Sequence, residues 1–598
     1  MKIPLLNQFY NHSKERSLSF ILLIALIIIT VAVTYLKIKV QISIGPQWDA
    51  FDFLADAAYF AGQGFGYVDF IRPPLLSFLT SIFFRLGYTS EVSIFAVDGS
   101  LFVFGVIGLY LFLKLRFNSI MSFLGALIFI SFPVVLLWVG AGYTDVASTS
   151  FSIWALYLTV LAVRKNPNFF CLSFPIATLA FLTRFPAAII IFPMILYILI
   201  NREKLKNFRT IFIGIFLSFL IMIPVFMFFW NTLGNPLAPF LQMFSGTVST
   251  SSSAVRFAYN PDPFFYVTNS LYSLINMDFL NSSSWGIKIT FFIAEILILY
   301  SVLMGLVIYI HKILKLLNIK LNLKKILEFK TSKILKISAI IVLFLIFIGT
   351  LGKISYLLSD IIFLILCFMF YPLLRHENLN YIDIDFLFLS LLVSYLIFDS
   401  FYPIKVCRYF IPMAPAFAYF IILGLSQFST KLKFKIKNIN ITSVLSVLLA
   451  LSLLFSTGSY LYQLENDPMA HGLNFKIQPT DKWFNMGITS KAFTGELYSE
   501  NYNTKELKNV AEWLKINDPD YKNQLICSDY FWPQLNWYSK TNIKGLSIQD
   551  EKYIDTQLKN QSVDYYINMG SDGKLENYIE VAEFKTNFAP VVIYKKNY

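Results

Sequence analysis

Apolar runs of roughly 18 to 25 residues recur along this chain, separated by short polar links, and runs of that length cross a bilayer as helices. We read about thirteen spans, at 18–38, 92–113, 118–138, 144–163, 168–183, 186–201, 210–230, 287–310, 335–351, 354–374, 384–402, 408–428 and 441–462. Arg184 and Pro186 interrupt the pair at 168–201. Beyond residue 462 the pattern changes. "KELKNVAEWLKIND" repeats apolar residues at helical i, i+3, i+4 spacing, whereas "QLICSDY", "VDYYINMG" and "APVVIYKK" read as short buried strands. The pattern predicts a polytopic α-helical membrane protein over residues 1–462, followed by a small α/β domain over 463–598. It shows no internal repeat.

Charge orients these spans, because basic residues collect in cytoplasmic links. With the N-terminus inside, beside Lys14 and Arg16, the strongly basic links all fall on one side. They hold Lys114 and Arg116; Arg164 and Lys165; Arg202, Lys204, Lys206 and Arg209; the lysine-rich stretch 312–336; Arg375; and Lys431, Lys433, Lys435 and Lys437. A miscounted span would break that agreement. The first loop (39–91), a polar loop at 231–286 and the C-terminal domain then lie outside the cell membrane. The stretch "HKILKLLNIKLNLKKILEFKTSKILK" reads as a surface helix on anionic lipid headgroups. The first span lacks a small-residue cleavage site and reads as uncleaved.

Composition agrees: 56% hydrophobic and 14% charged residues exclude a soluble protein of 598 residues. The net charge of +13 resides mostly in the inner links, so nucleic acid is not an expected partner. Cys171, Cys367, Cys407 and Cys527 are scattered, without the spacing of a zinc site or a disulfide framework.

Ionisable residues near the spans are costly, so their placement is informative. Asp49 and Asp52 follow span 1, three residues apart and hence on one helical face. Asp98 lies in the outer part of span 2, Asp145 opens span 4 in "GYTDVAST", and Arg184 ends span 5 in "LTRFP". Glu295 and Asp360 lie in outer halves, and Asp399, Lys405 and Arg408 cluster in "FDSFYPIKVCRYFIPMAP". Singly, each has an ordinary reading: a helix cap, a snorkelling arginine or a satisfied buried acid. Asp56 and Asp69 read as solvated loop acids. Together they put the chemistry at the outer interface, whereas a transporter would hold its cargo near the midplane. In the first loop, "DAFDFLADAAYFAGQ" reads as an amphipathic interfacial helix and "GQGFGY" as a flexible corner. "RPPLLSFLTSIFFRLG" begins a second such helix, its prolines tolerated in the first turn.

The order of these motifs resembles the GT-C membrane glycosyltransferases, in particular the protein O-mannosyltransferase and aminoarabinose transferase branch. The resemblance rests on an acid after span 1 followed by "FLADAAYFAGQGFGYVDFIRPPLLSFL", on "YTDVAST", on "IATLAFLTRFPAAIIIFPMIL" and on "KVCRYFIPMAPAFAYF", and covers roughly residues 15–430. It implies transfer of a sugar from a polyprenyl-phosphate donor to an extracytoplasmic acceptor, with inversion at the sugar carbon. It also implies Asp49 as catalytic base, Asp145 as the second acid and Arg408 at the donor phosphate, with Arg184 and Lys405 as weaker phosphate ligands. Family members often carry Asp-Glu where this chain has Asp49-Ala50, which leaves Asp52 as a rival base. Asp49 and Asp52 leave room for a divalent metal, although no histidine cluster supports one. A lipid-linked-sugar flippase and a non-catalytic scaffold are the competing classes.

Overall fold

The computed structural model describes residues 4–46, 49–205, 207–245, 262–268, 285–320, 331–375, 381–402, 405–431, 435–436, 439–466, 504–546, 554–569, 575–585 and 590–597. The side chain of Glu295, most of the second loop and part of the expected basic surface helix lie outside the described residues.

Eleven helices occupy the first 245 residues: α1 (Pro4–Ile44), α2 (Asp49–Phe60), α3 (Leu75–Arg85), α4 (Glu91–Leu113), α5 (Ser119–Ser131), α6 (Pro133–Trp138), α7 (Thr144–Arg164), α8 (Phe170–Thr183), α9 (Ile191–Ile200), α10 (Arg209–Leu233) and α11 (Ala238–Ser245). Then come α12 (Trp285–Lys320), α13 (Thr331–Thr350), α14 (Tyr356–Arg375), α15 (Ile382–Phe401), α16 (Ala414–Lys431) and α17 (Ile441–Asn466). Among the described residues nine helices are long and apolar enough to cross a membrane. Shorter apolar helices at Ser119–Ser131, Pro167–Thr183, Phe185–Ile200 and Ser338–Thr350 fall at the four remaining expected spans. The chain is a multi-pass membrane protein.

Close helix contacts rest on small residues, which let backbones approach where lipid offers no hydrophobic drive. A Cβ on Gly305 of α12 would lie 1.8 Å from the carbonyl oxygen of Gly424 in α16. A Cβ on Gly105 of α4 would lie 2.2 Å from Ser150 Oγ of α7.

Basic residues from three of the links meet at the end of the bundle opposite Asp49. There Arg116 pairs with Asp385, at the start of α15, and the hydroxyls of Tyr309 and Tyr419 donate to the same carboxylate. Neighbouring Asp383 receives Arg164 at 2.7 Å, Lys204 at 3.6 Å and the Tyr197 hydroxyl at 3.2 Å. These side chains come from α7, α9, α12, α15, α16 and two links, so two acids tie five helices and two links together.

Two interfacial helices, α2 and α3, lie between α1 and α4 as the loop pattern predicted. Beyond the bundle, α18 (Thr504–Asn517), α19 (Trp532–Ser539) and α20 (Ile554–Asn560) pack with strands β1 (Ile526–Ser528), β2 (Ile543–Gly545), β3 (Tyr565–Asn568), β4 (Tyr578–Phe584) and β5 (Val591–Lys596). The sheet order is β2-β1-β3-β5-β4; β1 runs parallel to β2 and β3, while β5 is antiparallel to β3 and β4. The expected small C-terminal α/β unit is therefore present, with three of its strands at the sites read from the sequence. The other two, β2 and β4, are the edge strands of the sheet, and each fully buries only one residue.

Arg116→Ala leaves Asp385 buried without its cation, and losing one partner of a buried pair typically costs about 3–5 kcal/mol. The protein in detergent is expected to unfold at markedly lower temperature, with much of the loss recovered when Asp385→Asn is added. A single mutant as stable as wild type would remove this pair from the account of the bundle.

Candidate active site

Asp49 and Asp52 sit in the first turn of α2, where the helix dipole favours acids. Asp145 opens α7 in the same way, after a turn in which Gly140 (φ +64°) and Gly142 (φ +79°) take the left-handed conformation that side chains resist. Arg184 lies at the break between α8 and the 3₁₀ turn Phe185–Ile190, with extended backbone (φ −154°). Pro186 lacks the N–H that would continue the helix. Arg408 lies in the 3₁₀ turn Cys407–Met413 that leads into α16.

These segments converge. Asp49 Oδ2 accepts from Arg408 Nη2 at 2.9 Å, and its Oδ1 accepts from Arg72 Nη2 at 3.1 Å. Arg72 also reaches Asp52 Oδ2 at 2.6 Å and Asp69 Oδ2, through Nε, at 3.0 Å. The Tyr67 hydroxyl donates to Asp52 Oδ1 at 2.8 Å. On the other side, Arg184 Nη2 lies 3.1 Å from Asp145 Oδ1, and Arg408 Nε lies 3.9 Å from Asp145 Oδ2. One continuous chain of charge runs Asp52–Arg72–Asp49–Arg408–Asp145–Arg184. Aromatic faces hold the guanidinium groups in place: Arg184 lies 4.9 Å from the Tyr409 ring centre, and Arg408 lies 5.0 Å from Tyr143 and 5.7 Å from Trp138.

Five of the six expected site residues are therefore together. Lys405 is not in the chain of ion pairs. Its buried ammonium donates to the carbonyls of Asp399, Ser400 (3.2 Å) and Tyr402 (2.6 Å), closing the C-terminal end of α15. Two expectations need correction. Asp56 and Asp69 are not solvated loop acids: Asp56 is buried and accepts the Asp69 N–H at 2.9 Å, and Asp69 pairs with Arg72. Arg72 is the residue that the sequence reading quoted without a role. The signal was present in an arginine three residues after an acid, pinned by two prolines. Asp98 and Asp360 are buried within the bundle, and Asp399 stands beside Lys405.

The two rival acids differ electrostatically. Burial alone would raise the Asp49 carboxyl, but the charges of Arg72 and Arg408 outweigh it and hold the group well below the usual range. Burial also raises Asp52; Arg72 opposes it, while Asp49 and Asp69 add to it, and the group is pushed up to about 7. Among the described residues no three His, Cys, Asp or Glu side chains gather as a metal site. Between Asp49 and Asp52 stands the Arg72 guanidinium, where a shared divalent ion would have to sit.

This multi-pass helical bundle, with a small sheet domain beyond it, has an ArnT-like GT-C fold. Residues 71–228, which include Arg72, Asp145 and Arg184, match the family model of dolichyl-phosphate-mannose-protein mannosyltransferase. No curated protein matches the sequence. ArnT from Cupriavidus metallidurans, bound to undecaprenyl phosphate, superposes with a TM-score of 0.52 at 11% identity, over 96% of this chain and 97% of that one. Its apo form matches with the same score and identity, over 95% and 97%. The oligosaccharyltransferase AglB from Archaeoglobus fulgidus, in complex with an inhibitory peptide and a dolichol-phosphate, scores 0.44 at 12% identity, over 91% and 69%. The likeness read from the motifs holds, in sequence over the matched stretch and in fold along the chain.

Because Asp52 is raised, it holds its proton below about 7 and releases it as pH climbs through that value. Infrared difference spectra are expected to show a protonated-carboxyl band that titrates there and is missing in Asp52→Asn. A band that persists unchanged in that mutant would overturn the assignment.

Proposed function

We propose that this chain is an integral-membrane glycosyltransferase that moves a sugar from a polyprenyl-phosphate donor to a hydroxyl acceptor on the extracytoplasmic face. The observation that carries this reading is the single network formed by Asp49, Arg72, Asp145, Arg184 and Arg408, drawn from distant parts of the chain to one end of the bundle. The undecaprenyl phosphate bound to ArnT, a protein of the same fold, supports the donor class. Residues 1–462 form the transferase unit and 463–598 an extracytoplasmic domain, with the N-terminus cytoplasmic.

In the reaction the acceptor oxygen attacks the sugar C1, its proton passes to a carboxylate, and the C1–O bond to phosphate breaks. Attack opposite the leaving group inverts the anomeric carbon, by the geometry that separates inverting from retaining glycosidases. The polyprenyl phosphate leaves with a second negative charge. Arg408 and Arg72 stabilise it, with Arg184 behind them, because preorganised charge is most effective where charge develops. Asp49 is the proposed base. Asp49 engages the two guanidinium groups that suit a phosphate, and a donor phosphate competes for both. That competition relieves Asp49 of the charges that hold its proton affinity down. Asp145 orients Arg184 and Arg408. A second reading assigns the proton to Asp52, whose carboxyl at about 7 is matched to neutral operation.

A flippase would need a polar path through the bundle, whereas an apolar core lies between its two ion-paired ends. A non-catalytic scaffold has no use for three guanidinium groups gathered at buried carboxylates.

Purified protein incubated with radiolabelled polyprenyl-phosphate sugars is expected to transfer or hydrolyse the sugar. Asp49→Asn should abolish this in a folded, inserted protein, while Asp52→Asn retains part; the reverse order moves the base to Asp52. Arg408→Ala is expected to cost about 10²–10³ in kcat, the usual loss for one charge-stabilising donor. Unchanged donor affinity and rate in that mutant would end its role at the phosphate.

Since the Arg72 guanidinium stands between the two acids, the transfer is expected to survive chelation of divalent ions. Loss of activity in EDTA, restored by added metal, would refute this.

A further inference from the structure

The interfacial helices that carry the proposed base do not close a core by themselves. Their cluster consists of Phe51, Phe53, Leu54, Ala57, Ala58, Leu76, Phe84, Ile94, Phe95 and Val97, all from residues 51–97, plus one buried residue from the C-terminal domain, Trp537. Trp537 is 4% exposed and lies at the end of α19. Its ring stacks on Phe84 of α3 (5.9 Å, 27°) and meets Phe65 of the intervening corner edge-on at 6.0 Å. Next to it, Tyr538 meets Phe51 of α2 edge-on at 5.7 Å. Lys540 lays its ammonium 3.3 Å from the Trp537 ring centre and 4.4 Å from that of Phe65. At the corner, a Cβ on Gly66 (φ +101°) would lie 2.4 Å from Asn542 Cβ, so backbone and domain touch directly.

Each of the three pieces of the loop thus presents one aromatic ring to the domain. Phe51 lies between Asp49 and Asp52 in sequence, and Phe84 ends the helix that Arg72, Pro73 and Pro74 lead into. Arg72 spans from the start of α3 back to α2, so its bonds to Asp49 and Asp52 depend on how those helices sit. We propose that the C-terminal α/β domain is a clamp on the catalytic loop, and that Trp537 is the positioning residue that fixes Asp49 and Asp52 against Arg72. Trp537 touches none of the reacting groups; it acts through Phe84, Phe65 and the cluster beneath them. The catalytic half of this statement rests on the function proposed above, while the clamp itself does not.

Two measurements on the full-length protein in lipid nanodiscs separate these parts. The first is amide hydrogen exchange over 49–60 and 75–85, the segments of α2 and α3. Trp537→Ala is expected to speed exchange in both, Trp537→Phe to restore protection, and Lys540→Gln to give a smaller change of the same sign. Exchange unchanged in folded Lys540→Gln and Trp537→Ala would overturn the clamp whatever the activity.

The second is the pH–rate profile with radiolabelled dolichyl-phosphate mannose and undecaprenyl-phosphate aminoarabinose. A displacement near 1 Å costs about 10²-fold, the scale expected for Trp537→Ala. Asp52 faces Tyr67, Asp49, Asp56, Asp69 and Arg72, and of these only Arg72 carries positive charge. When Arg72 drifts, both Asp49 and Asp52 rise, so the acid limb moves to higher pH. Loss of folded protein alone would scale the rate equally at every pH, and a limb that stays in place would refute positioning. A wild-type protein inactive on both donors would count against the transferase reading, and the exchange data would still decide the clamp.

Discussion

A carboxylate at the edge of a bilayer must be met by a cation or keep its proton, because the desolvation of an unpaired ion costs several kcal/mol. The Asp49 end of this molecule is organised by that condition. Asp49, Asp52, Asp69 and Asp145 are met by Arg72, Arg408 and Arg184, and where the cations run short the acids retain protons, as Asp52 does up to about 7. The same condition acts at the other end, where Asp383 and Asp385 take up Arg164, Lys204 and Arg116. The two ends reach different solutions. At the Asp385 end, tyrosine hydroxyls complete the pairing and the group is closed. At the Asp49 end, aromatic faces flank the guanidinium groups and leave their polar edges toward the acids.

Helix α7 shows how the site depends on packing. Its small residues, among them Ser148, Thr149, Ser150 and Ser152, turn their hydroxyls onto their own helix and are buried. Bulk is thereby kept low where α4 and α8 press close, and the N-terminal turn with Asp145 is held rigidly under Arg184 and Arg408. Lys405 serves the same end from α15. By saturating the final carbonyls of that helix, it fixes the chain three residues before Arg408.

Much of this was legible in the sequence, because membrane helices announce themselves by length and apolarity. The positions of the apolar helices and the convergence of Asp49, Asp52, Asp145, Arg184 and Arg408 could be read from spacing and charge. Arg72 could not be weighed in that way, since a loop arginine beside three acids looks the same whether it is solvated or buried. Asp56 and Asp69 read as solvated for the same reason: burial of a loop depends on what covers it, and the apolar cluster of this loop is closed in part by Trp537, about 450 residues beyond Phe84. The role of Lys405 was equally hidden, because capping is a matter of backbone position. Strand β4 escaped because an edge strand shows no alternation of buried positions.

The contact between α19 and the first loop also sets a schedule. The acids of α2 are made among the first residues of the chain, and the ring that seals their cluster is made about 490 residues later. At roughly 5–20 residues per second, synthesis separates the two by about 25–100 s. During that interval the bundle is being threaded into the bilayer while its reactive end is incomplete. A chain caught in that interval holds the arginines without the ring that closes the cluster of their helices. Chain order thus works as a timer, delaying the fully assembled acid–arginine cluster until the α/β domain has folded against α2 and α3.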